Sequence, residues 1–118
     1  ALMTFWGCQL KPGEKHMLKA DDRGDTLHLS QACLHRPEAG KNVLQVIDGT
    51  ARYAIACLEQ GKTEYTSFDL YLNLGKAGAQ YGFVNSGSSE VHLTGYLEPD
   101  LDEELGEEGE ESEEDDDV

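Results

Sequence analysis

Apolar and polar residues alternate along much of the first 97 residues of the chain. In residues 26–34 (TLHLSQACL), Leu27 and Leu29 fall on one face while His28 and Ser30 fall on the other. A period of two is the pattern of a strand with one buried and one exposed face. This segment therefore predicts a half-buried β-strand.

Residues 68–74 (FDLYLNL) repeat the pattern, since leucines alternate with Asp69, Tyr71 and Asn73. Asp48-Gly49 suits a tight turn with positive φ, and the apolar segments on either side of it predict a hairpin. Glycine and proline separate the other apolar segments, and no segment has the pattern of an amphipathic helix of three turns. The predicted strands indicate an all-β sandwich, jelly roll or barrel, and they cover residues 4–10, 16–20, 26–34, 43–47, 52–58, 68–74, 79–85 and 91–97.

The negative charge of the chain is concentrated at its end. Fourteen of the 21 residues from 98 to 118 are Asp or Glu and none is Lys or Arg, whereas the whole chain has 24 acidic and 9 basic residues. Residues 1–97 therefore hold 10 acidic residues against 9 basic ones. We predict a β-domain of residues 1–97 followed by a disordered acidic tail of residues 98–118, because blocks of like charge repel and stay extended.

Two interpretations of the acidic tail stay open. It is either a solvated spacer that keeps the protein soluble, or a polyanion that binds Lys- and Arg-rich proteins through many weak contacts. Composition does not choose between them, and Ser112 within the tail is a candidate site for an acidophilic kinase. The carboxylates that would bind a basic partner are those of Glu98, Asp100, Asp102, Glu103, Glu104, Glu107, Glu108, Glu110, Glu111, Glu113, Glu114, Asp115, Asp116 and Asp117.

Other classes of protein fit the composition poorly. The longest apolar run, residues 53–58, falls far short of the roughly 20 residues that a membrane helix needs, and the start of the chain lacks a signal-peptide pattern. We expect no membrane partner. Basic residues form no cluster that could hold phosphates, so we also expect no direct nucleic-acid binding. Cys8, Cys33 and Cys57 lack a paired spacing and are expected to be reduced, buried thiols.

Residues suited to catalysis or metal binding are not grouped along the chain. The four histidines, His16, His28, His35 and His92, form no HxH, HxxH or HExxH motif, so no metal or cofactor site is predicted. A site assembled across strands has no signal in this sequence. Neither a nucleophile elbow nor a phosphate-binding glycine loop occurs, and we expect this chain not to be an enzyme.

Three blocks of sequence carry a family resemblance. The blocks are MTFWG at 3–7 with LKPG at 10–13, then LHLSQACL at 27–34, then GSSEVHLTGYL at 87–97, and the acidic tract follows them. Together they resemble the nucleoplasmin-like fold. The first two blocks are most similar to the N-terminal domain of nuclear FK506-binding immunophilins and to plant HD2-type proteins, and the third block is similar to nucleoplasmin.

The resemblance implies an eight-stranded jelly-roll β-sandwich that forms a homopentamer, with a decamer as a further state. It also implies a histone chaperone of the nucleus or nucleolus, which binds core histones for nucleosome assembly or storage. Nucleoplasmins often carry an acidic loop within the β-domain, but the connections at 48–50 and 59–64 are too short and too mixed in charge to be one. Histone affinity is therefore expected to rest on residues 98–118.

Three alternatives remain beside the chaperone. HD2-type proteins have been described as histone deacetylases, with a proposed His and Asp that match His28 and Asp69 here, although deacetylation would still need a metal or an oxyanion site. In a nuclear prolyl isomerase, this domain would be the oligomerisation module and the isomerase domain would lie outside the sequence. The third alternative is a plain oligomeric scaffold whose tail only confers solubility.

Overall fold

Eight β-strands account for most of residues 3–99, which are the residues that the computed structural model describes. No helix occurs in this range, and so none that could cross a membrane. The strands are β1 (Thr4–Leu10), β2 (Lys15–Met17), β3 (Thr26–His35), β4 (Lys41–Asp48), β5 (Ala51–Glu59), β6 (Tyr65–Asn73), β7 (Tyr81–Ser86) and β8 (Glu90–Glu98). All eight predicted strands are present, most of them within one to three residues of the predicted bounds.

The strands form two antiparallel sheets of four strands each. One sheet has the order β1-β8-β3-β6 and the other the order β2-β7-β4-β5, so that only β4 and β5 are neighbours both in sequence and in a sheet. Eight strands in two sheets with long crossing connections make a jelly roll, as the family resemblance implied. The predicted all-β fold is therefore confirmed.

A β-bulge in β3 keeps the buried face of that strand continuous. The pairing of β3 with both β6 and β8 shifts between Leu29 and Gln31, so Ser30 is the extra residue. Before the bulge, odd-numbered leucines point inward, and after it Ala32 and Leu34 do. A strict alternation would have turned Ala32 and Leu34 toward solvent, so the bulge preserves their burial.

The core lies between the two sheets and is made of leucine, valine and aromatic side chains. Phe83 of β7 is fully buried and contacts Trp6 of β1 with a ring-centroid distance of 6.3 Å, which joins one sheet to the other. The predicted inward leucines of β3 are fully buried, and Leu72 of β6 is 6% exposed. The buried residues of this cluster are Trp6, Leu10, Leu27, Leu29, Ala32, Leu34, Leu44, Val46, Leu58, Leu72, Phe83, Val91, Leu93 and Leu97.

The predicted hairpin forms between β4 and β5. Asp48 pairs with Ala51, which leaves Gly49 and Thr50 as a two-residue loop. Gly49 has a φ of 64°, and Thr50 is not among the residues with positive φ. Glycine at the first of the two loop positions is the pattern of a type II′ turn, whose twist matches that of the flanking strands.

Buried amide and hydroxyl groups close one end of the sandwich. Asn42 of β4 is 1% exposed; its Nδ2 donates to the carbonyl of Leu58 at 3.2 Å, and its Oδ1 accepts the backbone N–H of Ser89 at 2.9 Å. Asn85 of β7 donates through Nδ2 to the carbonyl of Ser89 at 2.7 Å. The Ser89 hydroxyl accepts the N–H of Glu38 at 2.8 Å. These bonds tie β4, β5, β7 and the loop before β4 to the turn that begins β8.

Gly87 allows the turn between β7 and β8 to approach Asn42. Its φ is 141°, a backbone conformation that favours glycine, and a Cβ at this position would overlap Oδ1 of Asn42. Any other residue at this position would therefore push the turn away from the buried amide network.

Cys57 and Glu98 are placed differently from the expectations based on the sequence. Cys57 is exposed on β5, the edge strand of its sheet, so the expectation of a buried thiol is wrong for this cysteine, whereas Cys8 and Cys33 are half-buried. Glu98, placed by the sequence at the start of the acidic tail, is the last residue of β8 and pairs with Thr26. The rest of the predicted tail, residues 100–118, lies outside the described residues.

We predict that Asn42→Ala lowers the free energy of unfolding by about 2 to 4 kcal/mol, because it leaves the buried N–H of Ser89 and the carbonyl of Leu58 without partners. Asn73→Ala is the matched control, since Asn73 is exposed and accepts one bond from the N–H of Gly75. This control should lose less than about 1 kcal/mol. Urea unfolding of both variants measures the difference, and equal losses would contradict a structural role for the network.

Candidate functional site

The outward side of the β1-β8-β3-β6 sheet, called the outer face below, carries a row of aromatic side chains. Phe5 of β1 pairs with Tyr96 of β8, Tyr96 pairs with His28 of β3, and His28 pairs with Tyr71 of β6. One residue of each strand thus contributes to a line that crosses the whole sheet. We call these four residues the aromatic row.

The aromatic row is well exposed for such large side chains. Phe5 is 64% exposed, Tyr71 is 55% exposed and Tyr96 is 39% exposed. The imidazole of His28 stacks on Tyr71 with a centroid distance of 4.2 Å and an interplanar angle of 13°. Clustered exposed aromatic side chains are typical of surfaces that another protein covers.

His28 and Asp69, the pair matched to the deacetylase hypothesis, do lie together. Nε2 of His28 is 2.8 Å from Oδ1 of Asp69, which lies on the neighbouring strand. The Asp69 side chain is 83% exposed, and His28 is 21% exposed. His28 is a member of the aromatic row, so the pair lies on the open surface of the sheet, where solvent weakens its electrostatic attraction.

A groove of about 520 Å³ lies along β1 and β8 on the outer face. The ring of Phe5 lies over Gly7, where a Cβ would come within 3.1 Å of it, and Thr94 is the residue opposite Gly7 on β8. Arg23 brings one positive charge to the groove, and His92 lies at its other end. The groove thus connects the aromatic row with a second group of polar side chains.

This second group, the histidine cluster, consists of His35, Glu90 and His92. Glu90 pairs directly with His35 across β8 and β3, and His92 follows Glu90 by two residues on the same face. Nε2 of His92 is 2.7 Å from a carboxylate oxygen of Glu90, and the rings of His35 and His92 stack with a centroid distance of 4.3 Å. One nitrogen or oxygen from each of the three side chains lies within 4.8 Å of the others.

Electrostatics keep the carboxylate of the histidine cluster ionised. The hydrogen bond from His92 lowers the pKa of Glu90, with smaller contributions from the charges of His92, His35 and Lys11. In contrast, burial and the nearby Glu14 raise the pKa of the Cys8 thiol to about 11. Cys8 is therefore a protonated thiol at neutral pH and a poor nucleophile.

Of the fourteen acidic residues predicted to bind a basic partner, one lies within residues 3–99. Glu98 lies at the end of β8 and is half-buried. The other thirteen lie outside the described residues, namely Asp100, Asp102, Glu103, Glu104, Glu107, Glu108, Glu110, Glu111, Glu113, Glu114, Asp115, Asp116 and Asp117. Their role in binding stays a prediction.

No sequence motif marks the histidine cluster, because metal-binding motifs consist of ligands close together along the chain. His35 belongs to a strand far in sequence from the strand of Glu90 and His92, and only the pairing of β3 with β8 joins them. The sequence Glu90-Val91-His92 does indicate that two of the three candidate ligands lie together, because residues two apart on a strand share a face.

Comparison with known families decides the classification. The sequence profile of the nucleoplasmin-like domain matches residues 5–98. The chain belongs to the nucleoplasmin-like domain family. The three sequence blocks that carried the resemblance therefore led to the correct family.

Curated relatives include proteins of two kinds. The chain is 31% identical over 104 residues to the 46 kDa FK506-binding nuclear protein of Spodoptera frugiperda, covering 86% of this chain and 24% of that protein. It is also 31% identical over 112 residues to the histone deacetylase HDT4 of Arabidopsis thaliana, covering 90% of this chain and 52% of that protein. This nucleoplasmin-like chain thus spans between a quarter and about half of these relatives.

Solved structures of the same fold come from Drosophila. The nucleoplasmin-like N-terminal domain of FKBP39 superposes with a TM-score of 0.65 and 23% identity, covering 83% of this chain and 91% of that one. The NLP core superposes with a TM-score of 0.70 and 23% identity, covering 84% of this chain and all of that one. The NLP core structure was described as giving insight into pentamer formation and histone binding. At this identity the likeness supports the jelly-roll fold.

Proposed function

We propose that this nucleoplasmin-like chain is a histone chaperone module. In this proposal the jelly roll assembles into a homopentamer, and the acidic residues from 98 to 118 of each copy bind core histones. The division of charge carries the proposal: these 21 residues hold fourteen carboxylates, whereas residues 1–97 are almost neutral. A polyanion attached to a neutral oligomer is suited to strongly basic proteins, because many weak contacts act together.

The folded domain contributes little charge of its own. Its acidic side chains are spread over several loops and strands, and some are paired, as Asp21 is with Arg23 at 2.7 Å. Histone affinity is therefore assigned to the acidic tail, and geometry and valency to the jelly roll. Support for this partner comes from the Drosophila NLP core, whose structure was described in terms of histone binding, and support for a nuclear location comes from the relative named a nuclear protein.

The aromatic row is the surface that we assign to the contact between subunits. Its exposed rings lie side by side on four adjacent strands, and a single small jelly roll has limited apolar area to bury inside. A second copy of the chain is the proposed occupant, because the Drosophila NLP core was described in terms of pentamer formation. Pairing of two pentamers into a decamer would require a further contact surface.

The deacetylase alternative has one geometric point in its favour, the contact between His28 and Asp69. No group of metal ligands surrounds that contact: among residues 3–99, the one group of three metal-ligating side chains is the histidine cluster. His28 and His35 are seven residues apart on β3, so the two places are separated by about 20 Å. A metal in the histidine cluster could not activate water for chemistry at His28.

The oligomerisation module of a nuclear prolyl isomerase is compatible with the chaperone proposal. The FK506-binding relative from Spodoptera is about four times as long as the segment that matches, so further domains of such a parent would be carried by the same pentamer. A chaperone tail and an attached isomerase would then act on the same particle.

We predict that the full chain does not release acetate from acetylated core histones. The reason is that His28 and Asp69 belong to no group of three metal-ligating side chains among residues 3–99, and deacetylation would need a metal or an oxyanion site. Acetate release by wild type and by His28→Gln should equal that of buffer alone. Release by wild type that disappears in His28→Gln would contradict the chaperone assignment and support the deacetylase.

We predict that light scattering at micromolar concentration gives five times the mass of the 13.0 kDa chain. The double variant Phe5→Ser/Tyr96→Ser should shift the mass toward the monomer, because it removes two exposed rings from the aromatic row. Tyr53→Ser is the matched control, since Tyr53 is 58% exposed but lies on β5 of the other sheet. A monomeric wild type would overturn the oligomer, and an unchanged mass of the double variant would place the contact elsewhere.

We predict that deletion of residues 100–118 leaves the fold and the oligomer intact but removes most of the histone affinity. The deletion keeps Glu98 in its pairing with Thr26, so β8 stays complete. Binding of the full chain should weaken with salt, because exposed charges are screened over a Debye length of about 8 Å at physiological ionic strength.

The control for length is a chain in which the acidic residues from 100 to 118 are replaced by Asn and Gln. It should bind histones as weakly as the deletion variant in a salt series. Equal affinity of the full chain and both variants would place histone binding on the jelly roll and leave the tail as a spacer.

A further inference from the structure

We propose that the histidine cluster, His35, Glu90 and His92, binds a divalent transition-metal ion, with Zn²⁺ as the best match. The three side chains offer two imidazole nitrogens and one carboxylate oxygen within 4.8 Å of one another. This set of donors suits zinc, copper or nickel, whereas calcium and magnesium prefer oxygen ligands alone. Two histidines with one glutamate are also a known ligand set of zinc sites that keep a coordination position open.

The distances between the donor atoms are close to those of a metal site. Zinc binds nitrogen and oxygen at about 2.0 to 2.2 Å, so two donors of a tetrahedral site lie about 3.4 Å apart. Nε2 of His92 and the carboxylate of Glu90 are already 2.7 Å apart, and the third donor lies within the 4.8 Å limit. Side-chain rotation that unstacks the rings of His35 and His92 would bring all three donors around one ion.

The backbone beneath the histidine cluster is well fixed. His35 and Glu90 are opposite each other in the β3–β8 ladder, and His92 is the next outward residue on β8. The buried bonds of Ser89 with Asn42 and Asn85 come directly before Glu90 and hold the start of β8 in place. A metal would therefore bind without first ordering a loop, which reduces the entropic cost of forming the site.

Solvent and metal ions can reach the histidine cluster. The side chains of His92 and Glu90 are 29% and 27% exposed, and His92 also lines the groove along β1 and β8. Cys33 lies opposite His92, but its thiol contacts the carbonyl of Leu34 at 3.4 Å and does not belong to the group of three. Three protein ligands thus leave the remaining coordination position to water or to a donor from another molecule.

The site is tested with the full chain after removal of metals by a chelator. Zn²⁺ is titrated in the presence of excess Mg²⁺, which occupies carboxylate sites in the acidic tail because it prefers oxygen ligands. Imidazole resonances are followed by NMR during the titration, and the affinity is measured by calorimetry. The signals of His35 and His92 should shift with one equivalent of zinc per chain, while those of His16 and His28 should not.

Three variants decide the outcome. His35→Gln and His92→Gln should each weaken the Mg²⁺-resistant zinc binding by more than about 100-fold, since they remove a direct ligand, a loss at least as large as that from altering an outer partner. Glu90→Gln keeps the size of the side chain but removes the carboxylate ligand, so it should also weaken zinc binding. His16→Gln is the matched control, because His16 is an exposed histidine on β2 of the other sheet.

Circular dichroism checks that each variant remains folded. Zinc affinity unchanged in His35→Gln and His92→Gln, or equal shifts of all four imidazoles, would overturn the proposal and attribute zinc binding to the tail. If one variant fails to fold, the other two variants and the NMR assignment of the wild type still give the answer.

Discussion

The jelly roll depends on how one end of the sandwich is closed around buried amide groups. Asn42, Asn85 and Ser89 lie where the two sheets meet a tight turn, and each would be costly to bury without hydrogen bonds. Their bonds join strands of one sheet to the start of β8, the strand that pairs with two neighbours in the other sheet. This closure holds the start of β8, and the alternation of that strand turns Glu90 and His92 to the outer face.

The two faces of the β1-β8-β3-β6 sheet differ in composition because successive side chains of each strand point to opposite faces. The inner face supplies leucines and valines to the core, and the outer face carries the aromatic row at one end and the histidine cluster at the other. The proposed subunit contact and the proposed metal site thus share one sheet without sharing residues. The acidic tail adds a third element whose charge does not depend on the packing of the domain.

Strand positions were predictable from the sequence wherever one face of a strand is buried, as the alternation around Leu27 and Leu29 shows. The alternation signal is absent from β2, predicted at 16–20 but found at Lys15–Met17, because all three of its residues are exposed. The bulge at Ser30 depends on partners that the local sequence does not reveal. The histidine cluster was not predictable for the same reason, since its members meet only once the distant strands β3 and β8 are paired.

The pairing of Thr4 with Leu97 brings the beginning of β1 beside the end of β8. The first and last residues of the folded body therefore lie at the same end of the sheet. The histidine cluster lies at the other end of β8, about 25 Å away. Anything joined to the body before β1 or after β8 is delivered to one common place. In a ring of subunits, the attachment points of all copies would lie on one side of the ring and the histidine clusters on the other side.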